Sequence, residues 1–177
     1  NYLIKKLSLL SFFFAYTMRM QSLPYNPDSI LVTEDMCDHN GHMNVNYYYK
    51  VFDSTYTSFY INELGFDESY MKKGFSTFTL EDNIRYLKEF KEGEMIYPSF
   101  QLYKSNRKLM HFVGILQKSD DDLAAIFETV LGHIDLSLRK VVEFPKDKIE
   151  HLTKVCDDQG KISKFPFDVK LYIKRKF

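Results

Sequence analysis

The sequence has 177 residues, with 24 basic and 24 acidic side chains and therefore a formal net charge of zero. That length suffices for one domain with a sizeable core, and the balanced charge excludes a general nucleic-acid role, which needs a clustered basic excess. Aromatic residues make up 16% of the chain, which predicts a large buried core, an apolar ligand tunnel or an oligomer interface.

The N-terminal segment has an ambiguous pattern. Residues 1–17 begin without Met and carry Lys5 and Lys6 before the apolar run 7–16, as in the first two regions of a signal peptide. The run is shorter than the roughly 20 apolar residues that span a bilayer, so we do not expect a membrane partner. Two interpretations stay open: a signal-like segment, or sequence upstream of a natural start at Met18 or Met20, and we favour the second.

The next elements are a strand and a long helix. The stretch "SILVTED" at residues 29–35 predicts a short strand, and residues 44–64 predict a helix that Gly65 ends. Apolar and aromatic positions at spacings of three and four define one helical face: Tyr48, Phe52, Thr55 and Phe59.

From residue 75 the pattern changes to a period of two, which is typical of strands. In "FSTFTLEDNIRYL" the apolar set Phe78, Leu80, Ile84 and Tyr86 is predicted to share one face. Three more strand-like stretches follow: "EMIYPSFQLYK", "KLMHFVGILQ" and "LAAIFETVLGHIDLS". Residues 145–155 then predict a helix, and the last stretch is basic and aromatic. We therefore expect an α+β domain over residues 25–145, an antiparallel sheet with one long helix across it, followed by a C-terminal helix and tail over 146–177.

The stretch "DHNGHMNVNYYYKVFD", residues 38–53, carries the chemistry. Asn44 is placed to cap the helix, whose first amides are unpaired and lie at the positive end of the helix dipole. Such amides can hold a developing oxyanion, and Gly41 lets a substrate carbonyl approach the backbone. Asp38 can act as general base or nucleophile, and His42 can orient a group or move a proton. The same residue types are also ordinary in loops and caps.

This stretch resembles the Asp-x-x-Gly-His-Met/Val-Asn element of hotdog-fold acyl-CoA thioesterases of the 4-hydroxybenzoyl-CoA thioesterase type. Further along, "FTLEDNIRYLKEFKEGE", "SNRKLMHF" and "LAAIFETVLGHID" are similar to the thioesterase domain associated with carnitine dehydrogenase and betainyl-CoA hydrolysis. The similarity covers about residues 29–145, in the same order. It implies a hotdog fold, a curved antiparallel sheet wrapped around a long helix, that works as a homodimer or a dimer of dimers with sites at the subunit interface.

The resemblance also implies roles for particular residues. Asp38 matches the catalytic carboxylate, and His42 and Asn44 complete the catalytic set. The expected oxyanion-binding and substrate-binding positions are Gly41, Met43, Asn46, Glu81, His111 and Glu128. His111 and Glu128 are equally well explained as a structural pair, because polar groups on apolar strand faces are costly unless paired. Aromatic residues usually precede the Asp in this family, whereas Met36 and Cys37 stand here, which leaves the shape of the acyl pocket open.

The function expected from the sequence is hydrolysis of a short or polar acyl-CoA, betainyl-CoA being one option, with no metal and no cofactor beyond the coenzyme A of the substrate. Two alternatives stay open: a non-catalytic acyl-CoA-binding protein and a hotdog enoyl-thioester hydratase, whose usual Asp–His spacing "DHNGH" does not reproduce. The only two cysteines, Cys37 and Cys156, form no disulfide framework and fit a reducing, cytoplasmic location, although one bridge between them is conceivable.

Overall fold

The computed structural model describes residues 22–118, 122–161 and 165–173, so the N-terminal run 1–17 lies outside the described residues. Its main helix is α1 (Val45–Ser58), which continues as a π-helical turn over Phe59–Glu63. A short helix α2 (Glu68–Lys72) follows, and α3 (Lys146–Gly160) comes after the sheet. In these ranges, no helix is both long enough and apolar enough to cross a membrane.

In the part of the chain that the structure describes, six strands form one antiparallel sheet. They are β1 (Ile30–Leu31), β2 (Phe75–Tyr86), β3 (Met95–Ser105), β4 (Leu109–Lys118), β5 (Asp122–Asp135) and β6 (Lys140–Val141). The order across the sheet is β1-β3-β4-β5-β2, with β6 paired to β5. The strand, the long helix, the four strand-like stretches and the C-terminal helix predicted from the sequence are confirmed, and together they make the hotdog fold.

Helix α1 is held against the sheet by its aromatic face. Phe52 is fully buried, stacked on Phe127 of β5 at 4.7 Å between ring centroids and edge-on to Phe100 of β3 at 6.1 Å. Tyr48 meets the ring of Tyr86 on β2, so strands from across the sheet contact the same helix. Offset-stacked and edge-to-face ring pairs add to the free energy of burying the aromatic surface. We call the side of the sheet that faces α1 the inner face.

The far end of α1 is closed by a glycine and a lysine. Gly65 has a φ of +66°, which lies in the left-handed region that glycine tolerates, and its N–H donates to the Ile61 carbonyl at 3.1 Å. Lys148 of α3 donates from Nζ to the carbonyls of Leu64 and Gly65, at 2.7 and 3.0 Å. A cation at this end complements the negative end of the helix dipole, and Gly65 ends the helix as predicted.

The outer face of the sheet is covered by residues 165–173, which we call the C-terminal strap. Its side chains alternate, so that every second one faces the sheet and the others face solvent. The sheet-facing positions are Phe165, Phe167, Val169, Leu171 and Ile173, packed against outer-face residues of β4 and β5. The basic and aromatic tail of the sequence therefore completes a second apolar layer.

Strand β2 departs from the predicted two-residue pattern. Its register against β5 shifts between Thr79 and Glu81, and such a bulge moves the following side chains to the opposite face. Phe78 pairs with Gly132 on the outer face, whereas Ile84 pairs with Phe127 on the inner face. The prediction that the apolar residues of β2 share one face is therefore wrong, because strict alternation does not survive a bulge.

A buried histidine joins β5 to α2 and to the chain after β6. His133 is fully buried, and its Nε2 lies 2.8 Å from the Tyr70 hydroxyl. Its Nδ1 lies 3.1 Å from the Glu143 carbonyl, which can only accept. Nδ1 therefore carries the proton, and the Tyr70 hydroxyl donates to Nε2. Burial lowers the pKa of His133 below its ordinary value, against the smaller opposing effect of the carbonyls of Val142 and Glu143.

The lowered pKa of His133 leads us to expect that the folded protein is less stable in acid. Because the folded-state pKa of His133 is lowered, its stabilising contribution is complete above the unfolded value of about 6.5 and is lost as the pH falls below it. We expect the free energy of unfolding, measured by denaturant titration, to decrease between pH 7 and pH 5. The decrease should be smaller in His133→Gln than in the wild type. The control His39→Gln, at an exposed position, should show the same decrease as the wild type. Equal decreases in wild type and His133→Gln would contradict this assignment.

Candidate active site

The 38–44 loop joins the turn at Glu34–Met36 to the start of α1 as a tight reversal. The Asp38 N–H donates to the His42 carbonyl at 3.0 Å, and the Gly41 N–H donates to the Asp38 carbonyl at 2.9 Å. Gly41 has a φ of +78°, and no atom lies within 4 Å of the position that a Cβ would take. Glycine is therefore required here by the backbone conformation, and the space above it is open to a ligand.

Backbone hydrogen bonds fix the end of the loop that leads into α1. The Met43 N–H donates to the Phe90 carbonyl at 2.7 Å, and the Asn44 N–H donates to the Met36 carbonyl at 2.9 Å. The Met43 side chain is buried in the main core. These contacts hold the loop in position before any substrate binds, which limits the reorganisation that binding would require.

Asn44 caps α1 as predicted. Its side-chain oxygen accepts from the Asn46 N–H at 3.0 Å, and its carbonyl accepts from the Tyr47 N–H at 2.9 Å. The amide of Val45 comes before these two, and no acceptor for it is found in the described part of the chain. The Val45 side chain is 55% exposed. The helix start therefore leaves a backbone donor at the positive end of the dipole, near solvent.

Asp38 and His42 lie together in the loop that leads into this helix start. Asp38 Oδ1 accepts from the Asn40 N–H at 2.8 Å and lies 4.0 Å from His42 Nδ1. The other carboxylate oxygen, Oδ2, has no partner among the residues that the structure describes. One oxygen thus fixes the orientation of the carboxylate, and the other is available to a water molecule or a substrate.

A cavity of about 290 Å³ opens next to the helix start. Residues 42–45 contribute His42, Met43 and Val45 to its walls. Tyr86, the last residue of β2, and Leu87, which follows it, also line the cavity. Tyr86 is not among the site residues predicted from the sequence. No local signal marks it, because the fold brings it to the helix start from roughly 40 positions away in the chain.

The structure brings five of the predicted site residues together in the loop and at the cap: Asp38, Gly41, His42, Met43 and Asn44. Asn46 adjoins them, but its N–H is used by the cap and its side chain is exposed. His111 and Glu128 lie elsewhere, on the outer face of the sheet, because their neighbours Phe112 and Phe127 face α1. Glu81 is exposed on β2 with its side chain on the outer side.

Glu128 anchors the C-terminal strap. Its carboxylate is fully buried and accepts from the backbone N–H of Lys170 at 2.9 Å and from that of Leu171 at 2.8 Å. Arg85 of β2 donates to it at 3.1 Å. His111 Nε2 lies 3.4 Å from Oε2, and burial lowers the pKa of His111 although the nearby carboxylate favours its charged form. These contacts give Glu128 a structural role under the strap.

The comparisons with known proteins agree with this geometry. A family model described as the thioesterase-like superfamily matches residues 31–154. The chain belongs to this superfamily.

Among individual relatives, an L-carnitine dehydrogenase/betainyl-CoA thioesterase of Rhizobium meliloti (strain 1021) is 31% identical over 126 residues, which cover 71% of this chain and 25% of that protein. A betainyl-CoA thioesterase of Pseudomonas aeruginosa is 33% identical over 107 residues, covering 59% of this chain and 67% of the relative. The chain thus spans about a quarter of the fused relatives that it matches. The predicted resemblance to this thioesterase domain is confirmed.

Solved structures support the fold. The Staphylococcus aureus protein SAV2348, solved in complex with CoA, superimposes with a TM-score of 0.74 at 24% identity, covering 88% of this chain and 98% of that one. A DHNA-CoA thioesterase from Staphylococcus aureus gives a TM-score of 0.67 at 23% identity, covering 78% and 97% of the two chains.

The strap anchor gives a stability prediction. Glu128→Gln removes the charge that Arg85 and two backbone amides share and places an NH₂ group against N–H donors. We expect this to lower the free energy of unfolding by about 3–5 kcal/mol, as for other broken buried pairs. Glu81→Gln, at an exposed position on the same strand as Arg85, is the matched control and should change it by about 0.5 kcal/mol or less. Denaturant titration of both variants tests this, and equal stabilities would contradict the anchor.

Proposed function

We propose that the protein is an acyl-CoA thioesterase. The observation that carries the proposal is the presence, in the 38–44 loop and the helix start that follows it, of the Asp38 carboxylate and of a backbone donor, Val45 N–H, that has no acceptor within the described chain. Thioester hydrolysis needs both groups: a base or nucleophile for attack and a donor for the oxyanion that attack creates. The superfamily membership supports the same reaction.

In the proposed reaction the thioester carbonyl oxygen accepts from the Val45 N–H at the start of α1, and Gly41 leaves room for its approach. Asp38 Oδ2 then either removes a proton from a water that attacks the carbonyl carbon, or attacks that carbon itself to form an acyl anhydride that water hydrolyses. In both cases the carbon–sulfur bond breaks, and the coenzyme A thiolate leaves and takes up a proton. His42, whose Nδ1 is 4.0 Å from the Asp38 carboxylate, would orient the leaving group or move a proton through one water molecule. The reaction uses water and the acyl-CoA, and it involves no metal or other cofactor.

The test of this function is the rate of Asp38→Asn on acyl-CoA substrates. The amide keeps the size of the side chain but is neither a useful base nor a nucleophile, so we expect kcat/KM to fall by about 100-fold or more, within the range that general acid–base groups contribute. Hydrolysis is followed by the release of free thiol from coenzyme A.

The matched control for this test is Asp35→Asn, an exposed carboxylate in the turn before the loop, which should keep the wild-type rate. Full activity in Asp38→Asn would contradict the assigned mechanism. Tight acyl-CoA binding without turnover by the wild type would instead favour a non-catalytic binding protein. Hydration of crotonyl-CoA without thioester cleavage would favour a hydratase.

For the substrate we propose a short or polar acyl group, with betainyl-CoA as the first candidate. Support comes from the betainyl-CoA thioesterase names of the relatives and from the cavity beside the helix start, which residues 42–45 adjoin directly. A panel of betainyl-CoA and plain short and long acyl-CoAs tests this choice. Faster hydrolysis of long, unbranched acyl groups would contradict it.

For the assembly we propose a homodimer joined through the outer edge of β2. This strand is 12 residues long, and within the described residues its ladder is to β5 alone. Such an edge invites pairing with another strand. Exposed apolar side chains accompany it on β2 and on the adjacent face of α1: Leu80 and Tyr49. A cytoplasmic location, where Cys37 and Cys156 would stay free, is part of the same proposal.

The proposed dimer predicts a mass of twice the 21.1 kDa chain in size-exclusion chromatography with light scattering. Pairing should also depend on the apolar side chains of the edge, so Leu80→Lys should shift the distribution towards the single chain. Leu138→Lys, at an equally exposed leucine in the turn after β5, is the control. A single-chain mass for the wild type at micromolar concentration would contradict this arrangement.

A further inference from the structure

The cavity beside the helix start contains two aromatic rings set at right angles. The rings of Tyr48 and Tyr86 have centroids 5.0 Å apart and an interplanar angle of 84°. Both side chains line the cavity, with Met43, Val45 and Leu87 supplying the aliphatic wall. A group that enters the cavity therefore meets an aromatic and aliphatic surface.

The two rings differ in their hydrogen-bond partners and in their exposure to solvent. Tyr48 is buried, and its hydroxyl donates to the Lys88 carbonyl at 3.2 Å while accepting from the Phe90 N–H at 3.2 Å. That ring is fixed at both ends, by the helix and by the 88–90 segment. Tyr86 is 49% exposed at the end of β2. Tyr48 thus provides a rigid wall, and Tyr86 provides the surface that a ligand can cover.

The charged groups at the rim of the cavity already have partners. Lys88 forms an ion pair with Asp122, and Lys91 Nζ lies 3.0 Å from the Glu89 carboxylate. No unpaired ammonium group is therefore found among the described residues that line the cavity. A cationic guest would meet ring faces, which carry negative partial charge, without a competing lysine.

We propose that Tyr48 and Tyr86 form the subsite for the acyl head group and select a quaternary ammonium group over a neutral group of the same shape. Ring faces attract quaternary ammonium ions, whose charge is weakly hydrated and makes no hydrogen bonds. The cavity adjoins the helix start through His42 and Val45, so it can receive a head group only a short chain away from the thioester carbonyl. This inference rests on the proposed thioesterase function.

The test compares two substrates of nearly equal shape on the full-length chain. Betainyl-CoA carries a trimethylammonium group, and 3,3-dimethylbutanoyl-CoA carries a tert-butyl group at the same place. The measured quantity is the ratio of their kcat/KM values in one preparation, which cancels any difference in the folded fraction between variants. We expect the wild type to favour the cationic substrate. Tyr86→Leu should lower the ratio roughly 5- to 30-fold, because it removes a ring face.

Two further variants test whether a change in the ratio comes from loss of the aromatic ring at position 86. Tyr86→Phe keeps the ring and should keep the ratio within about twofold of the wild type, given the similar attraction of the two rings for cations. Tyr97→Leu removes a tyrosine of β3 that is 43% exposed and does not line the cavity, and it should leave the ratio unchanged.

The outcomes distinguish this subsite from the function on which it rests. If Tyr86→Leu lowers both kcat/KM values equally, the ring only packs against the acyl group and the inference is overturned. The same holds if the wild type treats both substrates alike while hydrolysing other acyl-CoAs, in which case the thioesterase function stands. If the wild type hydrolyses no acyl-CoA at all, the proposed function fails and the subsite fails with it.

Discussion

The burial of the aromatic face of α1 against the inner face of the sheet is the constraint on which the rest of the structure depends. Phe52 lies between the rings of Phe100 and Phe127, and this contact sets the depth and rotation of the helix. Hydrogen bonds within the helix pair its backbone N–H and C=O groups along its length. Only the two ends therefore carry unpaired backbone groups. The far end is closed by Gly65 and Lys148. The N-terminal end, at Val45, keeps a backbone N–H that is available to a substrate.

The 38–44 loop turns this free helix end into a candidate site. Its two backbone contacts, from Met43 to Phe90 and from Asn44 to Met36, tie the loop to the connection between β2 and β3 and to the turn at Glu34–Met36. The position of the Asp38 carboxylate relative to the helix amides is thus set by folding, before substrate arrives. Donors fixed in advance need no reorganisation as charge develops on a carbonyl oxygen, which is why they stabilise it more effectively than water does.

Much of this arrangement could be predicted from the sequence, because the signals were local. The three-and-four spacing from Tyr48 to Phe59 and the capping position of Asn44 lie within single elements. The bulge at Thr79 to Glu81 could not be predicted, since it depends on pairing with β5. The placement of Tyr86 at the helix start and the strap contacts of Glu128 join positions far apart in the chain, and no periodicity reports such contacts.

The central claim is that the thioester carbonyl binds at the start of α1 beside Asp38. A crystal structure with a non-hydrolysable acyl-CoA analogue, in which a methylene replaces the thioester sulfur, tests it most directly. We expect the carbonyl oxygen about 2.7–3.2 Å from the Val45 amide nitrogen, with Asp38 Oδ2 facing the carbonyl carbon or a water beside it. An analogue whose carbonyl lies away from the helix start, with Asp38 turned to solvent, would contradict this binding mode.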